Sequence, residues 1–150
     1  MILRHLTDWG IARERIHGLP RLPSRTDYLA SLTTLDFIID TSPYGGHSTV
    51  GEALCLGIPV LTHLGSTTTG RVGASMMHHL GLGDLVPQSL DERLATLATL
   101  AKNADTRAAW TARFQTASTR TKATNLALVR ALEQAYAEPF QAPLATTDGG

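Results

Sequence analysis

The sequence predicts an α/β fold: a Rossmann-like parallel sheet with helical crossovers, followed by C-terminal helices. Two apolar runs and the segment between them carry this expectation. Leu35-Asp36-Phe37-Ile38-Ile39-Asp40 is short, β-rich and nearly continuous in apolar residues, as buried parallel strands are. Ile58-Pro59-Val60-Leu61-Thr62 is a second such run, with Pro59 at its start. Between them lie a turn-rich loop and a helical stretch over 48–56, marked by Val50, Ala53 and Leu54 and closed by Gly57. Strand, loop, helix and strand make a βαβ unit.

The remaining elements follow in order. Residues 1–9 have the pattern of a helix end, with Gly10 as its stop. Arg15–Leu19 is a candidate short strand, and Pro20 and Pro23 mark a loop. Ser24 is a good N-cap for a helix over 24–34 with a stripe of Tyr28, Leu29, Leu32 and Leu35. Gly65–Thr69 is a polar loop before a helix over 70–80 that ends at Gly81. Asp84–Val86 is a short extended piece. Ser89 caps a helix over 90–102, with Asp91 and Glu92 favourably placed in its first turn. From 105 to 137 the pattern is helical only, with Trp110, Phe114, Leu126, Val129, Leu132 and Tyr136 as its large apolar residues. The Pro/Thr/Gly-rich end reads as a disordered tail over 138–150, which leaves 1–137 as the folded part.

Composition narrows the function classes. The 150 residues are 43% hydrophobic and 17% charged, which excludes disorder of the whole chain. Thirteen basic and thirteen acidic residues cancel, so the basic excess of a nucleic-acid binder is missing. No run approaches the roughly 18 apolar residues of a membrane span, and the N-terminus lacks a signal-peptide core. The single cysteine is compatible with a reducing cytoplasm, which is the expected location.

In an open parallel sheet, ligands bind beyond the carboxyl ends of the strands, where loops feed helix N-termini. The loop Thr41-Ser42-Pro43-Tyr44-Gly45-Gly46-His47-Ser48-Thr49 stands at such a place. Gly45 and Gly46 allow close backbone approach. Ser48 and Thr49 open the next helix, whose free N–H groups and positive dipole end favour an anion such as phosphate. Glu52, one turn on, would repel a phosphate directly but suits sugar hydroxyls. Equally, the glycines can be a plain turn, Ser48 a cap and Glu52 a solvated helix residue. His47 can act as acid, base or phosphate donor, or simply cap the helix. In the second loop, Gly65 to Gly70, the hydroxyls and Arg71 can meet a phosphate or an acceptor, or serve as a capped helix with a surface arginine. No Walker loop, dinucleotide fingerprint or hydrolase elbow occurs. His63, His78 and His79 make a poor zinc set, because adjacent histidines on a helix diverge and no carboxylate partner stands at i+4. Cys55 is read as an inert thiol on the buried face of its helix.

Taken together, Asp40 to Leu54, then Gly57 to Thr62, then Gly65 with Arg71-Val72-Gly73-Ala74-Ser75, then Leu80 to Val86, closely resemble the C-terminal catalytic region of SPINDLY/O-GlcNAc-transferase-like glycosyltransferases. The similarity spans roughly residues 10–137. It implies a GT-B enzyme, in which two Rossmann-like domains face each other across a cleft and a nucleotide-diphosphate sugar lies mainly on the C-terminal one. It implies transfer of a sugar, N-acetylglucosamine from UDP-GlcNAc in the family's usual case, to a protein acceptor, with inversion and without a metal or other cofactor. Gly46, His47, Ser48 and Thr49 match the family segment that holds the diphosphate, with His47 as the catalytic candidate. Glu52 matches the acid at the ribose. Arg25 and Tyr28 fall where the family contacts the base with a Lys and a His, and Ser31 stands where one branch has an Arg. Arg71 matches a family Arg at the start of the next helix.

The resemblance also implies missing parts. The family's C-terminal domain begins with a strand and helix that carry donor-phosphate contacts and a catalytic Lys, which have no counterpart here. The acceptor-side domain and any TPR helices have none either. The expectation is a donor-binding part, inactive alone, that needs an N-terminal GT-B domain or a partner chain. The alternative is a non-catalytic nucleotide-binding or interaction module, or a truncated remnant. Another GT-B enzyme, such as a nucleotide-sugar epimerase, would be expected to carry different acids around 40–54.

Overall fold

Helix ends are set by local chemistry that is easy to trace from the sequence. The structure, a computed structural model, describes the backbone of residues 2–141, and their side chains apart from residues 2–3, 121–128 and 135–141. The described chain forms two compact units, 1–31 and 32 onward.

In the first unit, α1 (Ile2–Asp8) stops at Gly10, whose φ of 83° is left-handed. Such a backbone suits a residue without a Cβ. The strand expected at Arg15–Leu19 does not form. Arg13–Arg15 instead makes a 3-10 turn, and the Arg13 guanidinium donates to the Ile16 carbonyl at 2.8 Å. A strand needs a neighbour to take its backbone groups, and no described strand pairs with this run. Helix α2 (Arg25–Leu32) begins where Ser24 predicts: the Asp27 N–H donates to Ser24 Oγ at 3.1 Å, and Ser24 Oγ donates to Asp27 Oδ2 at 2.7 Å.

The second unit holds the βαβ element. Strand β1 (Ile38–Ile39) pairs in parallel with β2 (Val60–Leu61), with Ile38 opposite Val60 and Ile39 opposite Leu61. Hydrogen bonds from Ile38 N to the Pro59 carbonyl (2.8 Å) and Asp40 N to the Leu61 carbonyl (3.1 Å) extend the ladder. Helix α3 (Ser48–Leu56) is the crossover, and Gly57 ends it at φ 74°. A Cβ at Gly57 would also lie 3.0 Å from the Gln115 backbone. Helix α4 (Thr68–His79) follows, then a 3-10 turn over Gly83–Leu85, then α5 (Leu90–Lys102) and the long α6 (Ala104–Gln141). Residues 142–150, most of the expected tail, lie outside the described residues, as do the side chains of Leu126 and Tyr136.

Two expectations about local shape change. The extended piece at Asp84–Val86 is a 3-10 turn, closed by Leu85 N to the Leu82 carbonyl and Val86 N to the Gly83 carbonyl. Strand β1 is not buried on both faces, since Ile39 is 49% exposed. Among the described residues the sheet has two strands. By contrast Val60 and Leu61 are fully buried.

The core is built from one stripe per helix. Val50, Ala53 and Leu54 of α3, Ala74 and Met77 of α4, Leu100 of α5 and Phe114 of α6 are all buried. Cys55 is exposed, which corrects its assignment to the core. The buried face of α3 runs through 50, 53 and 54, and the next position turns about 100° away from it. Polar side chains of α6 satisfy the orphan carbonyls at other helix ends. Ser118 Oγ donates to the Cys55 carbonyl (2.6 Å), Arg120 to the Leu80 carbonyl (2.6 Å) and Arg107 to the Leu100 carbonyl (2.7 Å).

Candidate functional site

Asp40 ends β1 and is 4% exposed. A buried carboxylate is costly unless its oxygens are bonded. Here Oδ1 accepts from the N–H of Thr41 (2.9 Å) and of Gly46 (2.7 Å). Oδ2 accepts from Thr62 Oγ1 at 2.8 Å. The Asp40 backbone carbonyl accepts from the Arg93 guanidinium, which reaches in from α5. The loop between β1 and α3 is therefore folded back onto the end of its own strand.

The loops at the starts of α3 and α4 pack against each other at the carboxyl ends of the two strands. A Cβ at Gly45 would lie 3.1 Å from the Thr69 carbonyl oxygen, and one at Gly70 2.9 Å from the Pro43 carbonyl oxygen. These contacts explain glycine at both positions. His47 Nε2 lies 3.3 Å from the Thr69 carbonyl oxygen. A carbonyl only accepts, so in this arrangement Nε2 carries a proton. Tyr44 stacks on the ring at 5.4 Å between centroids and fixes its plane.

Helix α3 opens without a side-chain cap from His47, and Ser48 and Thr49 are exposed. The positive end of the helix thus faces solvent with two hydroxyls beside it. Glu52 is half-buried one turn along. Helix α4 begins differently: Thr67 Oγ1 accepts from Gly70 N at 3.1 Å, and Arg71 Nε donates to the Gly65 carbonyl at 2.8 Å. Arg71 itself is exposed, so the rest of its guanidinium faces outward. Arg25 and Tyr28 both stand on α2 in the first unit, Arg25 exposed and Tyr28 half-buried.

The structure adds residues that sequence reasoning did not assign to the site. Asp40, Thr62 and Arg93 converge on the loop between β1 and α3 from positions far apart in the chain. His63 follows β2, and its Nδ1 is buried with no hydrogen-bond partner among the described residues. Burial, and then the Arg93 cation, push its pKa below the usual histidine value, while the Asp40 carboxylate opposes them. Among the described residues, no three or more His, Cys, Asp or Glu side chains gather as metal ligands.

Comparison with known proteins places this geometry in a family. The sequence profile of glycosyl transferase family 41 matches residues 1–131. The chain belongs to that family. It is 33% identical over 101 residues to the SPINDLY protein of Arabidopsis thaliana, a probable UDP-N-acetylglucosamine–peptide N-acetylglucosaminyltransferase. That match covers 67% of this chain and 11% of the relative. The SPINDLY protein of Oryza sativa subsp. japonica, with the same printed activity, is 33% identical over 99 residues, 66% of this chain and 11% of its own. Among solved structures, a mutant O-GlcNAc transferase of Thermobaculum terrenum matches with a TM-score of 0.78 and 32% identity, over 90% of this chain and 26% of that one. The chain thus spans about a tenth of the length of its curated family 41 relatives. The α/β fold of a GT-B family 41 enzyme, expected from the resemblance, is the one observed. No described helix is long and apolar enough to cross a membrane.

Proposed function

We propose that this chain is the donor-binding part of a nucleotide-sugar glycosyltransferase that moves a sugar from a UDP-sugar, UDP-GlcNAc by the names of its relatives, to a protein acceptor. The observation that carries this is the uncapped, exposed N-terminus of α3, framed by His47, Ser48 and Thr49 in a chain of family 41. The donor diphosphate sits at that end, where the first-turn N–H groups and the two hydroxyls point positive charge and donors at it. His47, held by Tyr44 and Thr69, stands directly before that end. Glu52 takes the ribose hydroxyls, and Gly46 keeps the backbone close. Arg71 offers its outward guanidinium to the same anion.

In the reaction, an acceptor oxygen bonds to the anomeric carbon as the bond from that carbon to the β-phosphate oxygen breaks. UDP leaves with the bonding electron pair, and the configuration inverts. The growing charge on the leaving phosphate is met by preorganised dipoles, without a metal; one such donor is commonly worth about 10²–10³ in rate. The groups that hold the acceptor, and the base that takes its proton, belong to another GT-B domain, in the same chain or a partner. The free, exposed thiol of Cys55 fits a cytoplasmic setting.

Calorimetric titration of UDP and of uridine tests the proposal. UDP is expected to bind more tightly than uridine, and Ser48→Ala/Thr49→Ala to bring UDP down to the uridine level. A folded wild-type chain that binds UDP no better than uridine would contradict it.

A further inference from the structure

The donor loop must hold its shape for the α3 end to stay open, and its own sequence explains little of that shape. Turn residues allow many conformations. What selects one is the buried carboxylate six residues before Gly46. Asp40 Oδ1 holds Gly46 N at 2.7 Å, and Oδ2 holds Thr62 Oγ1 on the end of β2 at 2.8 Å. Space around the carboxylate is reserved for it: a Cβ would stand 3.3 Å from its oxygens at Gly45 and at Gly46, and 2.8 Å at Gly73. Strand β2, helix α4 and the loop therefore meet at one carboxylate, and Arg93 of α5 holds the same residue by its carbonyl. Gly46 is directly followed by His47 and Ser48. Its N–H bond thus fixes the step at which the chain turns into α3.

Charge strengthens the arrangement. An ionised acceptor makes shorter and stronger bonds to backbone N–H than a neutral amide does. Three donors occupy the carboxylate oxygens, and Asp40 is buried, so it orders the loop from within the protein.

We propose that Asp40 is the positioning residue of the donor loop: through Gly46 it sets the opening of α3 for a nucleoside diphosphate, with Thr62 as the anchor that orients its carboxylate. This rests on the donor site proposed above. It assigns Asp40 no contact with the ligand, so its loss acts on the diphosphate's site and spares the nucleoside's.

The test titrates UDP and uridine into the full chain and into Asp40→Asn, Thr62→Val and Thr62→Ser, with melting curves and the Gly46 amide proton resonance for each. Asp40→Asn keeps the side-chain shape and removes the charge. It is expected to weaken UDP by about tenfold or more, the scale of one hydrogen bond to a charged group, while uridine binding is kept. The Gly46 amide proton should move upfield as its acceptor becomes neutral. Thr62→Val should weaken UDP in the same sense, and Thr62→Ser, which keeps the hydroxyl, should restore it. A folded Asp40→Asn chain with wild-type UDP affinity would overturn the proposal and leave the donor site standing. If Asp40→Asn does not fold, the two Thr62 variants decide, and equal UDP affinity in both overturns it. A wild-type chain with no preference for UDP over uridine would sink the donor site and the proposal's ligand half with it. The Gly46 resonance would then judge the loop alone, and an unmoved resonance in Asp40→Asn overturns that half too.

Discussion

At the carboxyl end of β2, His63 shows how position sets a titration. Burial and the Arg93 cation favour its neutral ring in the folded chain, so its folded pKa lies below the unfolded value of 6.5. The sign follows from linkage. The stability this ring contributes is present above the unfolded value and is lost as pH falls through the folded one. Urea melts should therefore show the wild type losing stability below about pH 6.5, the usual histidine range, and His63→Gln losing less over the same interval. Equal losses would mean that His63 does not report this environment. At this scale the closeness of Gly46, His47, Ser48 and Thr49 was legible, because they are neighbours in the chain. The bonds that Asp40 makes were not. Thr62 and Arg93 lie 22 and 53 positions away, and only the fold brings them to it. Cys55 was misplaced for a related reason: a one-residue error in the phase of a helix face turns a buried side chain outward.

Among the elements, helix ends were legible, and so were the two parallel strands of the βαβ unit, but not the strands' length or the fate of Arg15–Leu19. Ser24, Ser89 and Gly57 act on backbone groups within a few residues, so local sequence determines them. Strand formation depends on partners, which is why Arg15–Leu19 stayed unpaired and β1 and β2 are two residues each. Packing between elements gives sharper tests. Gly73 of α4 faces β2 so closely that a Cβ would lie 2.6 Å from Thr62 Oγ1. Gly73→Ala should cost about 1–3 kcal/mol in denaturant melts, the usual range for overpacking, despite the better helix propensity of alanine. An unchanged or higher stability would show that this contact is slack. The Arg113–Asp84 pair, with both bonds at 2.7 Å, ties α6 to the 3-10 turn. It holds the Asp84 carboxyl below its usual range. Both side chains are largely exposed, so Asp84→Asn should cost only about 0.2–1 kcal/mol at neutral pH, and the difference should fade in acid as the wild-type carboxyl protonates.

For the second unit as a whole, α6 is the organising element. It supplies Phe114, 1% exposed and stacked on Trp110 at 5.9 Å, and the polar groups that close α3, α4 and α5. Phe114→Ala should destabilise by about 3–5 kcal/mol, as deletion of a buried aromatic does, enough to unfold a marginal domain. The long helical pattern was visible in the sequence, but its role as a common cap was not, since each cap is a contact between residues distant in the chain. The central claim, that the open end of α3 takes the diphosphate of a UDP-sugar, is most directly tested by following backbone amide resonances as UDP is added to the isotopically labelled chain. The largest shifts are expected at Ser48, Thr49 and Val50, with Gly46 following, and uridine alone should leave these four unmoved. Shifts confined to other parts of the chain, or the same shifts with uridine as with UDP, would contradict it.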